Sequence, residues 1–74
     1  MQRNDQLKKA IFDAGYRSES AMANSLGWPR QRLNKITTGA KEPDLQELDA
    51  ISRALHRPIG EVARFFLPSK SPNG

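Results

Sequence analysis

Short amphipathic segments, each closed by a glycine, most strongly limit the folds open to this chain. In each segment the apolar residues recur three and four positions apart, which is the spacing of one face of an α-helix. Glycine readily adopts the left-handed backbone conformation that commonly ends a helix. The three segments are 4–14 followed by Gly15, 18–26 followed by Gly27, and 29–38 followed by Gly39. Because no useful stretch alternates apolar with polar residues, the sequence predicts an all-α fold.

Two further helices are expected in the second half of the chain. Asp44 with Glu47 three positions later is close to a capping box, and we interpret both carboxylates as helix-start acids rather than a catalytic pair. Pro58 breaks the pattern, so that His56 lies in the last turn of the fourth helix with a structural role. The fourth helix carries Leu45, Leu48, Ile51, Ser52 and Leu55 at helical spacing, and the fifth, 59–66, carries Ile59, Val62, Ala63 and Phe66.

The composition argues against most kinds of catalytic chemistry. The 74 residues suffice for one small domain and include no cysteine and one histidine. Disulfides, thiolate metal sites and cysteine nucleophiles are therefore excluded, and a single histidine gives little basis for a catalytic relay centred on histidine. The sequence has no glycine-rich phosphate loop and no metal-ligand spacing. We expect a non-enzymatic domain over residues 1–67, without cofactor or metal, and a disordered tail over residues 68–74.

The positive charge is concentrated in the middle of the chain. The net charge is +4, and residues 17–41 hold five basic side chains against the single acid Glu19, whereas the rest of the chain is balanced. Such a basic patch indicates a polyanionic partner, with DNA or RNA first, and a solvated face without a partner is the alternative. No apolar run suits a membrane span or a signal peptide, so we expect a cytoplasmic protein.

The same basic segment has the spacing of a helix-turn-helix. Ala23 is small enough to let two helices cross closely, and Gly27 permits a sharp turn between them. Leu33 and Ile36 lie six and nine positions after that glycine and anchor the second helix by one face. The other face then stays exposed, in the arrangement that offers a helix to the major groove of DNA.

From about Leu7 to Phe66 the chain resembles the Cro/phage-repressor family of helix-turn-helix domains, also called the xenobiotic-response-element type. The residues that carry the resemblance are Met22, Ala23, Leu26, Gly27, Leu33, Ile36, Gly39, Pro43, Leu48, Ile51, Leu55, Ile59, Glu61 and Val62. The resemblance implies a five-helix, lambda-repressor-like fold whose third helix, 29–38, is the recognition helix. It also implies a transcription regulator, namely a phage or bacterial repressor that binds a near-palindromic operator on double-stranded DNA as a homodimer.

Polar side chains occupy the positions of the third helix that reach base edges in this family. Carried over one by one, they are Arg30, Gln31 and Lys35, with Arg32 and Asn34 flanking. The side-chain chemistry agrees, because arginine and lysine donate to guanine acceptors and glutamine pairs with adenine. We therefore predict that these five residues contact DNA bases.

Phosphate contacts are expected on both sides of the helix-turn-helix. The amides at the start of the second helix attract an anion, and the family also contacts phosphate just after the recognition helix. For the tryptophan before the recognition helix, packing in the core or at its rim is the first role, and a phosphate contact through the indole N–H is the alternative. The predicted phosphate-contacting residues are Ser18, Glu19 and Ser20 at the first place, Trp28 through its indole, and Thr38, Gly39 and Lys41 at the last.

The chain departs from the family pattern at several places, among them Pro29, which replaces the usual capping serine or threonine, and the turn over 15–18, which is one residue longer. Glu19 is acidic where a phosphate-binding glutamine is frequent, which weakens the predicted contact there. Thr37 stands where the family often has glutamate, so that no salt bridge between the recognition helix and the first helix is expected. None of these departures changes the predicted fold.

The C-terminal helix carries more apolar side chains than so short an element needs. Two roles are open for these apolar residues, which are Phe65, Phe66 and Leu67. They either pack this helix against the core or form a dimer interface. This patch leaves a second function open, an antitoxin-type or other interaction module that binds DNA only with a partner protein. RNA binding is a weaker alternative, because only Trp28 offers an aromatic platform beside the basic helix.

Overall fold

The computed structural model describes residues 4–66, and every regular element within that range is helical. The helices are α1 Asp5–Asp13, α2 Glu19–Leu26, α3 Arg30–Thr37, α4 Leu45–Leu55 and α5 Ile59–Ala63, followed by a 3₁₀ turn over Arg64–Phe66. The predicted all-α, five-helix fold is confirmed. None of the helices in this part of the chain has the length and apolar character needed to cross a membrane. Leu67 and the predicted tail over 68–74 lie outside the described residues.

Side-chain caps determine where three of the helices begin. The side chains of Asn4 and Ser18 each accept a hydrogen bond from the amide three residues on, at 3.0 and 3.1 Å. At α4 the carboxylates of Asp44 and Glu47 each accept from the other's amide, which is the predicted capping box. Such a cap contributes about 1 kcal/mol. Pro29 precedes α3 with an extended backbone and no side-chain cap.

Three helices end in the same hydrogen-bonded turn around a left-handed residue. After α2, the amides of Gly27 and Trp28 donate back to carbonyls of the last turn at 3.1 and 2.9 Å, and Gly27 has φ +75°. Gly15, with φ +100°, ends α1 in the same way. At α4 this place is taken by His56, with φ +58°. The expectation that His56 lies within the last helical turn is therefore wrong, because the reversal of the chain occurs at His56 itself.

All five helices contribute to one hydrophobic core. Leu33 and Ile36 hold α3 by one face, as their spacing predicted, and Ala23 of the adjacent α2 is buried with them. The hydroxyl of Tyr16, in the turn after α1, donates to the carbonyl of Ala54 in α4 at 3.0 Å. The fully buried apolar residues are Leu7, Ala10, Ile11, Met22, Ala23, Leu33, Ile36, Ile51, Leu55 and Val62.

One residue of α4, Leu45, is not on the buried side that its apolar spacing predicted. Leu45 is 74% exposed, although it continues the spacing of the helix. The buried side of α4 runs along Glu47, Ile51 and Leu55, which lie four residues apart. Leu45 lies roughly 120° around the helix from Ile51, so that it faces solvent.

The C-terminal segment is also less regular than its sequence predicted. The single helix expected over 59–66 is α-helical only to Ala63 and then tightens into the 3₁₀ turn, a common helix ending. Ile59, expected on the inner face, is 38% exposed, whereas Val62 is fully buried. Phe65 and Phe66 are partly buried and pack against the core.

Candidate nucleic-acid interface

The outer face of α3 presents the side chains of Arg30, Gln31 and Lys35 to solvent. Within residues 4–66, none of these three side chains takes part in a hydrogen bond or an ion pair. On the opposite face, Leu33 and Ile36 are buried. The helix is therefore anchored by its apolar side and leaves hydrogen-bond donors of two cations and an amide free for an external partner.

Arg32 and Asn34, also predicted to contact bases, engage the neighbouring helices. Nε of Arg32 donates to Oε2 of Glu47 in α4 at 2.8 Å. Nδ2 of Asn34 donates to Oε1 of Glu19 in α2 at 3.3 Å. The five predicted base-contacting residues thus divide into three with unengaged side chains and two held at the edges of α3.

Glu47 lies at the centre of a group of charged side chains between α3 and α4, which we call the Glu47 cluster (Arg32, Lys41, Asp44 and Glu47). The Glu47 side chain is 1% exposed, and its Oε1 accepts from the Asp44 amide at 3.0 Å. Its Oε2 accepts from both Nε of Arg32 and Nζ of Lys41, each at 2.8 Å. The two cations are each 43% exposed. One buried carboxylate therefore holds two cations whose remaining N–H groups reach solvent.

The carboxyl of Glu47 stays ionised far below neutral pH. Burial raises its pKa, but hydrogen bonds from Lys41, from the Asp44 amide and from Arg32 act in the opposite direction. Together with the charge of Lys41, they lower the pKa of Glu47 from 4.5 to about 2. At neutral pH, the carboxylate of Glu47 therefore keeps its negative charge between the two basic side chains.

The ion pairs of Glu47 were missed from the sequence, where this residue was assigned to the helix start alone. A signal was present, because Glu47 lies four residues before Ile51 and eight before Leu55 and so continues the buried side of α4. A carboxylate on a buried face needs a cationic or hydrogen-bonding partner. The basic residues of α3 and of the α3–α4 loop were the available partners.

Trp28 packs against the core and also supports Arg32. The indole is partly buried, and the guanidinium carbon of Arg32 lies 4.4 Å from the centroid of the tryptophan rings. This distance is within the range of a cation–π interaction. The tryptophan and Glu47 thus hold the guanidinium from two directions, and a phosphate contact through the indole N–H stays a prediction.

An open cleft of about 510 Å³ separates the exposed side of α3 from the start of α4. Its walls combine a base-contacting candidate, Gln31, with the charged groups of the Glu47 cluster. It is lined by Pro29, Gln31, Arg32, Lys35, Lys41, Asp44 and Glu47. The cleft therefore lies beside the predicted DNA-reading face.

The side chain of Glu19, which is 19% exposed at the start of α2, links α2 to α1 and α3. Its Oε1 accepts from Oγ1 of the buried Thr37 at 2.9 Å as well as from Asn34, and its Oε2 lies 3.8 Å from Nζ of Lys8. No direct salt bridge between α3 and α1 was expected, and Glu19 of α2 instead connects these two helices. Because both oxygens face cationic or donor groups of the protein, a phosphate contact at Glu19 is left to its backbone amide.

The other predicted phosphate-contacting residues lie at the two ends of the helix-turn-helix. Ser18 and Ser20 are exposed at the start of α2, where the Ser18 hydroxyl is already used as the helix cap. Thr38 and Gly39 directly follow α3, and Gly39 has φ +85°. Lys41 belongs to the Glu47 cluster. Phosphate binding by these residues stays a prediction.

The predicted dimer patch is only partly exposed in the described chain. Phe65 and Phe66 pack against the core, and the Phe65 carbonyl accepts from Nδ2 of Asn4 at 2.9 Å. The third residue of the patch, Leu67, lies outside the described residues. A dimer contact through this patch stays a prediction.

Comparison with known proteins identifies the family. A family model described as Helix-turn-helix matches residues 9–62, which contain α2, the Gly27 turn, α3 and the Glu47 cluster. No match was found among curated proteins or among solved structures. The matched segment covers most of the chain and contains the anchored helix pair α2–α3 seen in the structure. The chain belongs to the Cro/C1-type helix-turn-helix family of DNA-binding domains.

Proposed function

We propose that this protein is a sequence-specific transcription regulator that reads double-stranded DNA with the exposed face of α3. The observation that supports this proposal most is the set of unengaged side chains, Arg30, Gln31 and Lys35, on a helix anchored by buried residues. Arginine and lysine donate to O6 and N7 of guanine, and glutamine pairs with N6 and N7 of adenine. Each good pair discriminates against the wrong base by about 1–3 kcal/mol.

The electrostatics of the chain agree with this proposal. The whole excess of positive charge lies in residues 17–41, which include α2, α3 and the start of the α3–α4 loop. Positive charge beside a base-reading helix attracts the DNA backbone whatever its sequence, and it makes the affinity fall with salt. The predicted phosphate contacts at Ser18, Ser20, Thr38, Gly39 and Lys41 belong to this non-specific part of the binding.

We further propose that two copies act together as a repressor. One recognition helix reads only a few base pairs, whereas two copies related by a two-fold axis read a near-palindromic operator with half-sites about 34 Å apart. Phe65, Phe66 and Leu67 are the proposed contact between the copies. A dimer bound over a promoter excludes RNA polymerase, on the nucleoid of a bacterium or a phage-infected host.

Replacement of Arg30 tests the assignment of the reading face. We expect Arg30→Ala to weaken binding to the preferred site by about tenfold or more and to relax the preference at one base pair, which fluorescence anisotropy on a set of single-base-pair variants measures. Lys9→Ala is a matched control, because it removes one exposed cation from α1. If Arg30→Ala leaves the preference unchanged at every base pair, this assignment of the reading face is wrong.

A further inference from the structure

We propose that Glu47 is a positioning residue that holds Arg32 and Lys41 as a clamp for one phosphate of the DNA backbone. Arg32 then fixes the position of α3 on the DNA and does not read a base. This inference rests on the proposed function, because it assumes that α3 faces DNA. It reassigns one of the five residues predicted to contact bases.

The geometry of the Glu47 cluster brings the two cations to one point. Nε of Arg32 and Nζ of Lys41 each lie 2.8 Å from the same carboxylate oxygen, so the two nitrogens are within a few ångströms of each other. Each uses one donor on Glu47 and keeps others, since a guanidinium has five N–H donors and an ammonium three. Both side chains line the cleft between α3 and α4 and are 43% exposed. A single phosphate in that cleft meets donors from both.

The contacts of Arg32 disfavour a base-reading role. Its guanidinium lies over Trp28 at 4.4 Å, and its Nε is bound to a carboxylate that is itself 1% exposed. A move of Arg32 away from α4 weakens the compensation of that buried charge, which carries a free-energy cost. A phosphate contact carries no such cost, because the terminal guanidinium nitrogens are available while Nε stays on Glu47.

The clamp links two parts of the fold that determine where α3 sits on DNA. Glu47 belongs to the capping box of α4, Arg32 to α3, and Lys41 to the loop between these helices. Phosphate contacts fix the register and orientation of a protein on the duplex, and base contacts specify the sequence. The Glu47 carboxylate at this junction therefore fixes the distance between α3 and the DNA backbone.

The first experiment compares Arg32→Ala with Arg30→Ala by fluorescence anisotropy. The probes are the preferred duplex, its single-base-pair variants and an unrelated duplex. We expect Arg32→Ala to weaken binding to all probes by a similar factor, about threefold to tenfold, with the base preferences unchanged. Loss of preference at one base pair, as expected for Arg30→Ala, shows that Arg32 reads a base and overturns the proposal.

The second experiment measures whether Glu47 acts through Arg32. In a double-mutant cycle, we expect Arg32→Ala to cost the same threefold to tenfold, roughly, in the wild-type background and less than about half of that factor in the Glu47→Gln background, because Arg32 is no longer held there. A merely structural role of Glu47 changes the active fraction but leaves the effect of Arg32→Ala the same in both backgrounds. An equal or larger effect in the Glu47→Gln background therefore overturns the positioning role.

A third measurement decides the case if the Glu47→Gln protein does not fold. Lys41→Gln and Arg32→Gln each remove one cation but keep side-chain N–H donors that Glu47 can accept from, also in the double variant. The clamp predicts that the double variant lowers the slope of log affinity against log salt by about one per protomer, as for a single phosphate. A decrease of about two, with multiplicative losses of affinity, shows two independent contacts and overturns the clamp.

The same titrations separate this inference from the proposed function. If the wild-type protein binds duplex DNA but prefers no sequence, sequence-specific regulation fails, and the double variant on the unrelated duplex still decides the clamp. If the wild-type protein binds no duplex, both proposals are wrong.

Discussion

Replacing Glu47 with glutamine should destabilise the fold at neutral pH more than removing an exposed carboxylate from the same helix. Glutamine keeps the shape and an oxygen for the Asp44 amide, but it removes the charge that holds Arg32 and Lys41. If the pKa decrease from 4.5 to about 2 counted fully, it would correspond to roughly 3 kcal/mol. Both cations are half-exposed and screened by solvent, so we expect a loss of about 1–2 kcal/mol.

The pH dependence of this loss identifies its cause. Because folding lowers the pKa of Glu47, the stabilisation is complete above the ordinary pKa and disappears as the pH falls through the folded value. The difference between wild type and Glu47→Gln is therefore largest near neutral pH. We expect it to decrease progressively as the pH falls from 4.5 to about 2.

Urea denaturation followed by circular dichroism measures both values, and thermal denaturation should show a decrease of about 4–8 °C per kcal/mol. Asp49→Asn is the matched control, since it removes an exposed carboxylate of α4 that pairs with Arg53 at 3.0 Å. We expect that control to change the free energy of unfolding by less than about 0.5 kcal/mol. A Glu47→Gln effect as small as the control, or one that does not decrease in acid, refutes the reasoning.

Two further predictions concern the C-terminal end of α4. His56 has φ +58°, a conformation that glycine adopts without strain, so His56→Gly should stabilise the protein by about 0.5–1 kcal/mol in thermal denaturation; a lower melting temperature would contradict this. The Ala54 carbonyl lies in the last turn of α4, beyond which the chain leaves the helix at His56, and it accepts a hydrogen bond from Tyr16 instead of from a helical amide. Tyr16→Phe should therefore cost about 0.5–1.5 kcal/mol in urea denaturation, and an unchanged midpoint would show that this bond contributes nothing.

The helix ends and the core of this fold were largely predictable from local sequence signals. Ser18, Asp44 and Gly27 act through the backbone within a few residues of themselves, and the structure confirms each of them as a cap or a turn. The spacing of Leu33 and Ile36 likewise identified the buried face of α3. Such signals need no knowledge of how the helices are arranged.

The interactions between helices were not predictable in the same way. The ion pair between Arg32 and Glu47 and the hydrogen bond from Thr37 to Glu19 join residues 15 and 18 positions apart, and they depend on how α2, α3 and α4 pack. Leu45 illustrates the same difficulty. It continues the apolar spacing of α4, but the buried side of this helix is centred on Ile51, so that Leu45 is exposed. Side-chain chemistry suggested which residues of α3 are suited to DNA, whereas only the fold separates Arg32 from Arg30.

Selection of binding sites from a random duplex library tests the central claim most directly. The purified protein is used at about 0.1–0.15 M salt, because affinities for DNA depend strongly on ionic strength. We predict enrichment of an inverted repeat whose half-sites lie about one helical turn apart. Bound DNA without an enriched motif, or no binding, would contradict an autonomous sequence-specific regulator and would favour a module that binds DNA only with a partner protein.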